Sequence, residues 1–155
     1  MVFLNPGVWI VIVTTLLVIG ATVLLHYELL FTCVRLLPPG HGARPRRVML
    51  VIFVILIAHA TEIWMFGVGY YYLAGVEQIG GVTGVTERAP LSEYVYFSGI
   101  VYGTVGFGDL APVGPVRLMA VMESVTGLVM IAWSASFTFI HMQRDWPWET
   151  GREPE

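Results

Sequence analysis

Apolar residues in this chain come in long runs rather than in alternation or on one helical face. Three runs, about 8 to 31, 48 to 73 and 116 to 140, are nearly free of charge. Each is long enough to cross a bilayer as a helix, which takes about 20 apolar residues. A fourth apolar segment, Pro90 to Tyr102, is too short to cross. Pro90 followed by Glu93 predicts a helix start, because proline suits the first turn and a carboxylate suits the positive end. Tyr94, Tyr96, Phe97, Ile100, Val101 and Tyr102 make that helix strongly apolar. With about 12 residues and about 18 Å of length it reaches roughly halfway into the membrane. The chain must then return as non-helical backbone, which survives at that depth only where it is buried in protein or lines a water-filled path. The pattern therefore asks for a pore.

Composition agrees with a membrane protein and excludes a soluble domain: 56% of residues are hydrophobic and 12% charged, with a mean hydropathy of +0.74. The net charge of -3 gives no reason to expect nucleic acid. The first run lacks a basic leader and a small-residue cleavage pattern, so it is expected to be retained as a helix. Orientation follows the arginines. Arg35, Arg44, Arg46 and Arg47 in the first connection and Arg144 and Arg152 in the tail stand against Arg88 and Arg117 on the other side. The expectation is a multi-pass protein of the cell membrane, with the N-terminus extracellular and the first connection and C-terminus cytoplasmic. Gly75 to Gly84 is Gly-rich and predicts a mobile surface loop. Trp146 and Trp148 are expected to be interfacial anchors.

In Thr104-Val105-Gly106-Phe107-Gly108 glycines alternate with side-chain-bearing residues. Glycine reaches backbone angles closed to others, so consecutive carbonyls can point one way while Val105 and Phe107 pack outward. Several copies around an axis would stack rings of oxygen able to replace the hydration shell of a cation.

On these residues the chain, from about 48 to 141, resembles the two-transmembrane pore domain of potassium channels. Thr104-Val105-Gly106-Phe107-Gly108-Asp109 matches the family's signature, and Leu110, Pro112, Arg117 and Gly127 fall where such channels have the post-filter turn, the inner-helix start and its hinge. The resemblance implies an all-α membrane protein with three transmembrane helices and a re-entrant pore helix and filter loop, assembled as a homotetramer in the lipid bilayer. It implies an outer helix 48–73, an extracellular loop 74–89, a pore helix 90–102, a filter 104–109 and an inner helix 114–141. An extra helix (1–34) and an Arg-rich cytoplasmic loop (35–47) precede them, and a cytoplasmic tail (142–155) follows. Potassium, the permeant ion, would be held by the carbonyls of Thr104, Val105, Gly106 and Phe107 and the Thr104 hydroxyl. Gly108 would continue the filter, and Asp109 would brace the outer mouth with Tyr96 as its candidate partner. No cofactor, soluble ligand or enzymatic activity is implied. Two departures stand out: Gly103 replaces a common Thr, and Ile100 replaces the carboxylate that some members carry. A weakly selective monovalent cation channel and a non-conducting regulatory subunit are the alternatives. A membrane enzyme using His59 and Glu62 is disfavoured, since no nucleophile or third ligand accompanies them.

His59 and Glu62 share a helix face in the second run, and Glu123 lies early in the third, at a similar depth. These three are expected to form either a proton-sensitive element or a fixed structural network, in which Glu123 reaches Ser98 or Tyr102. His59 and Glu62 alone lack the third donor a metal site needs. His26 and Glu28 read as interfacial. Leu128, Ile131, Ala135 and Phe139 recur at helical spacing and either line a cavity, with Gly127 at the hinge and Phe139 as an apolar constriction, or face lipid or the outer helix.

Overall fold

Proline stands at or beside the start of each helix. In the computed structural model, which describes residues 6–36, 45–76, 78–85 and 89–145, α1 is Pro6–Leu36 and α2 is Pro45–Ala74. Helix α3 is Leu91–Tyr102, with Pro90 as its N-cap. Pro115 lies in a single 3-10 turn, Gly114–Val116, that leads into α4, Arg117–Asp145. A proline at a helix start forgoes an N–H that would have no intrahelical partner. α1, α2 and α4 are long and apolar enough to cross a membrane, and α3 is not among them. The chain is a multi-pass, mainly helical membrane protein.

Several boundaries differ from the sequence reading. α2 begins at Pro45, so Arg46 and Arg47, expected in the loop, stand on its first turn. Arg35 lies in the last turn of α1, where a cation suits the negative helix end, and its guanidinium covers the Phe31 ring at 4.9 Å. α4 continues past 141 to Asp145, since no helix-breaking residue stands before Pro147. Trp146, Trp148 and the rest of the tail lie outside the described residues, as do Arg44 and Arg88.

The Gly-rich connection after α2 is not a free loop. Gly81–Thr83 forms a strand, β1, that pairs antiparallel with β2, Ala111–Val113, in the register Gly81↔Val113, Val82↔Pro112 and Thr83↔Ala111. Left-handed turns at Gly80 and Gly84 (φ 85° and 90°) bracket the strand. Ile79, fully buried, anchors it to the core.

The core forms where α3 wedges between α2 and α4. Phe66, Tyr70, Phe97, Tyr102 and Met119 are its large buried members, and Phe97 meets Tyr70 edge-on at 4.9 Å. α1 contributes Val11 to this core. Farther along α1, Leu30 packs with Val51 and Ile55 of α2 in a second cluster. α4 approaches the end of α3 so closely at Gly127 that an added Cβ would collide with the Tyr102 carbonyl. This glycine, expected as a hinge, lies within an unbroken helix and makes a backbone contact.

That contact gives a test with a defined sign. In an open helix Gly→Ala stabilises by about 1 kcal/mol, whereas overpacking costs about 1–3 kcal/mol. Gly127→Ala is expected to lower the thermal unfolding midpoint in detergent; an unchanged or higher midpoint would refute the close approach.

Candidate functional site

The last carbonyls of a helix have no intrahelical partner, and at the end of α3 the following segment supplies them. The Gly103 N–H donates to the Gly99 carbonyl at 3.1 Å and the Thr104 N–H to Val101 at 3.0 Å. The N–H groups of Val105 and Gly106 both donate to Ile100, at 2.9 and 3.4 Å. The donors of this segment thus turn back to the helix. Among the described residues, no hydrogen bond ends on the carbonyl oxygens of residues 104 to 108.

Backbone handedness alternates over the same stretch. Thr104, Gly106 and Gly108 have φ of 54°, 59° and 84°, whereas Val105 and Phe107 are not in the positive-φ region. Alternation of this kind swings successive carbonyls toward one side. The glycines adopt it freely; β-branched Thr104 does so at a cost of about 1–3 kcal/mol, a kind of strain that concentrates at functional sites. Val105 and Phe107 are 55% and 68% exposed on the single chain, directed away from its own core.

The segment is held at its Asp109 end. The Tyr96 hydroxyl donates to Asp109 Oδ2 at 2.9 Å, a bond that raises the Tyr96 pKa above its ordinary value. The Thr83 hydroxyl donates to the Ala111 carbonyl at 2.9 Å and Arg117 Nε to Pro112 at 3.0 Å. Together with the strand pair, these bonds fix the chain as it leaves Asp109. Behind the segment, a cavity of about 350 Å³ is bounded by Phe97, Ile100, Thr104, Gly106 and Ser124.

Two buried carboxyl groups join the helices, in separate networks. Glu123 of α4 lies against α2 and α3: the Tyr70 hydroxyl donates to its Oε2 at 2.5 Å, and Ser98 Oγ lies 2.5 Å from its Oε1. Ser98 Oγ is also 2.8 Å from the Ile63 carbonyl. One hydroxyl proton serves only one of these acceptors, so both contacts are met when Glu123 brings a proton of its own. Glu62 forms the second network. His26 Nδ1 lies 2.7 Å from Oε1 and His59 Nδ1 3.1 Å from Oε2, and the Tyr102 hydroxyl donates to Oε2. Ser134 Oγ of α4 is 3.1 Å from Nε2 of both histidines. The contact of Glu123 with His59 or Glu62 suggested by their similar depths is absent among the described hydrogen bonds.

His26 is a correction to the sequence reading. It was expected at the membrane interface, and it is fully buried, while Glu28 two residues on is exposed. The signal available was its helical neighbourhood: Thr15, Thr22 and His26 are polar positions on one side of a mainly apolar helix, and all are buried. On α4, Leu128, Ile131, Ala135 and Phe139 are exposed on the single chain, while Glu123, Gly127 and Ser134 are buried on the adjacent face.

A family model described as "Ion channel" matches residues 48–144, from the start of the second apolar run to the end of the third. The chain is also 42% identical over 52 residues to a Bacillus subtilis protein described as "Uncharacterized membrane protein YdjJ". That similarity spans 33% of this chain and 15% of the relative. No solved structure matches the chain.

The Glu123 geometry makes a charge-independent prediction. Glu123→Gln restores an N–H donor to Ser98, so its thermal midpoint in detergent is expected to stay near that of the parent protein. Glu123→Leu strands the Tyr70 hydroxyl and leaves Ser98 only its bond to the Ile63 carbonyl, at about 1–3 kcal/mol for the buried group left unpaired. A Gln variant as unstable as the Leu variant would show that a carboxylate, not a proton donor, is required.

Proposed function

This chain belongs to an ion-channel family, and from that premise we propose that it passes potassium through a filter formed by residues 104–109 of four identical copies. The observation carrying this reading is the divided backbone of that segment: its N–H groups up to Gly106 are bonded to α3, and among the described residues the carbonyls of 104 to 108 accept nothing. Backbone oxygens left without donors suit a dehydrated cation, and the negative end of α3 points the same way. Thr104, Val105, Gly106 and Phe107 supply the carbonyls, the Thr104 hydroxyl adds an oxygen, and Gly108 continues the row. Asp109, held by Tyr96, stabilises the outer mouth.

One copy supplies one wall of such a pore, and cyclic symmetry supplies the rest. The exposure of Val105, Phe107 and the Leu128–Ile131–Ala135–Phe139 stripe agrees with this arrangement. Val105 and Phe107 would be covered by neighbouring copies, and the stripe would face a central cavity. The arginine distribution supports a filter on the extracellular side and a cytoplasmic C-terminus. Rectification of the reading comes from Gly103 and Ile100: neither provides a polar side chain behind the filter, so a weakly selective monovalent cation channel is the second reading. A non-conducting regulatory subunit is the third outcome the same experiment detects.

Purified protein in planar bilayers under opposed potassium and sodium gradients is expected to reverse near the potassium equilibrium potential. Reversal near zero would indicate weak selectivity, and absence of current a non-conducting role. Gly106→Ala, which places a Cβ on a left-handed residue, is expected to abolish the current. Phe139→Ala is expected to raise open probability if the phenyl ring closes the cytoplasmic end by excluding water; an unchanged open probability would remove it as the gate.

A further inference from the structure

The Glu62 network lies outside the proposed filter, and its contacts outnumber its protons. His26, Ser134, His59 and Glu62 form a closed ring of four contacts. Each neutral imidazole carries one hydrogen, the Ser134 hydroxyl one, and an ionised Glu62 none. If both imidazole hydrogens sit on Nδ1 to meet the carboxylate, both Nε2 atoms are bare. Ser134 can then donate to only one of them. The ring is short of one cation.

We propose that His26, His59 and Glu62 bind a divalent transition-metal ion of the zinc class. Their ligating atoms lie within 4.8 Å of one another, and two imidazoles with one carboxylate are a donor set that suits zinc. An ion on both Nδ1 atoms and the carboxylate resolves the proton deficit without loss of a proton. The imidazole hydrogens then sit on Nε2, and both donate to the two lone pairs of Ser134 Oγ. This is the outer-shell arrangement that fixes the tautomer of metal-bound histidine. The Tyr102 hydroxyl, bonded to Glu62 and 2.9 Å from His59 Nδ1, is placed to be the fourth donor.

The surroundings agree. Thr22, one turn from His26 on the same buried side of α1, has a buried hydroxyl without a partner among the described residues, so the interior here has unused polar capacity. His26 and Glu62 are fully buried, whereas the His59 side chain is 16% exposed. It borders a groove of about 440 Å³ between α2 and α4, with Ser134, Ile131 and Phe139, which gives an ion a way in. The site is independent of potassium selectivity and would hold in a non-conducting protein.

The test is metal content. Full-length protein in detergent, stripped with EDTA, given zinc and freed of excess by gel filtration, is expected to retain one zinc per chain. Cobalt(II) in its place should give the visible absorption of a four-coordinate ion. Glu62→Gln and His59→Gln should lose the zinc, and Ser134→Ala should keep the one-to-one stoichiometry while weakening affinity about 10–100-fold. If the ligand variants fail to fold, the parent protein and Ser134→Ala still decide the question. Parent protein that retains no zinc overturns the proposal and leaves a proton as the missing cation. Equal zinc in Glu62→Gln also overturns it.

Discussion

A peptide group that leaves a helix at membrane depth has no water to bond with, and this constraint organises the rest of the chain. α3 ends inside the protein, and the next four residues answer by donating to its last carbonyls. That choice leaves the oxygens of the following segment without donors. The same bonds therefore end a helix and create a row of backbone oxygens free of hydrogen-bond donors among the described residues. The alternating handedness at Thr104, Gly106 and Gly108 is what lets both results occur in so short a stretch.

Holding such a segment requires support from elements distant in sequence. At the Asp109 end it comes from Tyr96, Arg117 and the β1–β2 pair; among the long helices it comes from the two carboxyl groups. Glu123 fixes α4 to α2 and α3, and Glu62 connects α2 with α1 and α3. Buried carboxyl groups are costly unless each oxygen is occupied, and here every oxygen has at least one partner. Glu62 through His26 also joins the first helix, which lies outside the matched family region, to the remainder.

The parts legible in the sequence were those written in local patterns. Long apolar runs gave the spanning helices, Pro90 with Glu93 gave the start of the short one, and the Gly alternation gave the unusual backbone after it. What the sequence concealed depends on how separate helices meet. Nothing near His26 names Glu62 as its partner, because depth along α1 has no meaning until α1 is set against α2. Likewise Gly75–Gly84 has the composition of a loose loop, and its strand exists only because β2 runs alongside it. Gly127 matched a hinge position, yet its immediate task is to let two backbones touch.

Tyr102 is where these connections converge. It is the last residue of α3, two before Thr104; its hydroxyl is bonded to Glu62 and its carbonyl faces Gly127. Glu62 in turn is bonded to His26 of α1. Mechanically, the first helix, buried against the protein at Val8, Val11, Leu30 and Cys33, is thus tied through Glu62 and Tyr102 to the start of the row of unbonded oxygens. A displacement of that helix therefore has a short route, two side chains long, to the backbone of residues 104 to 108.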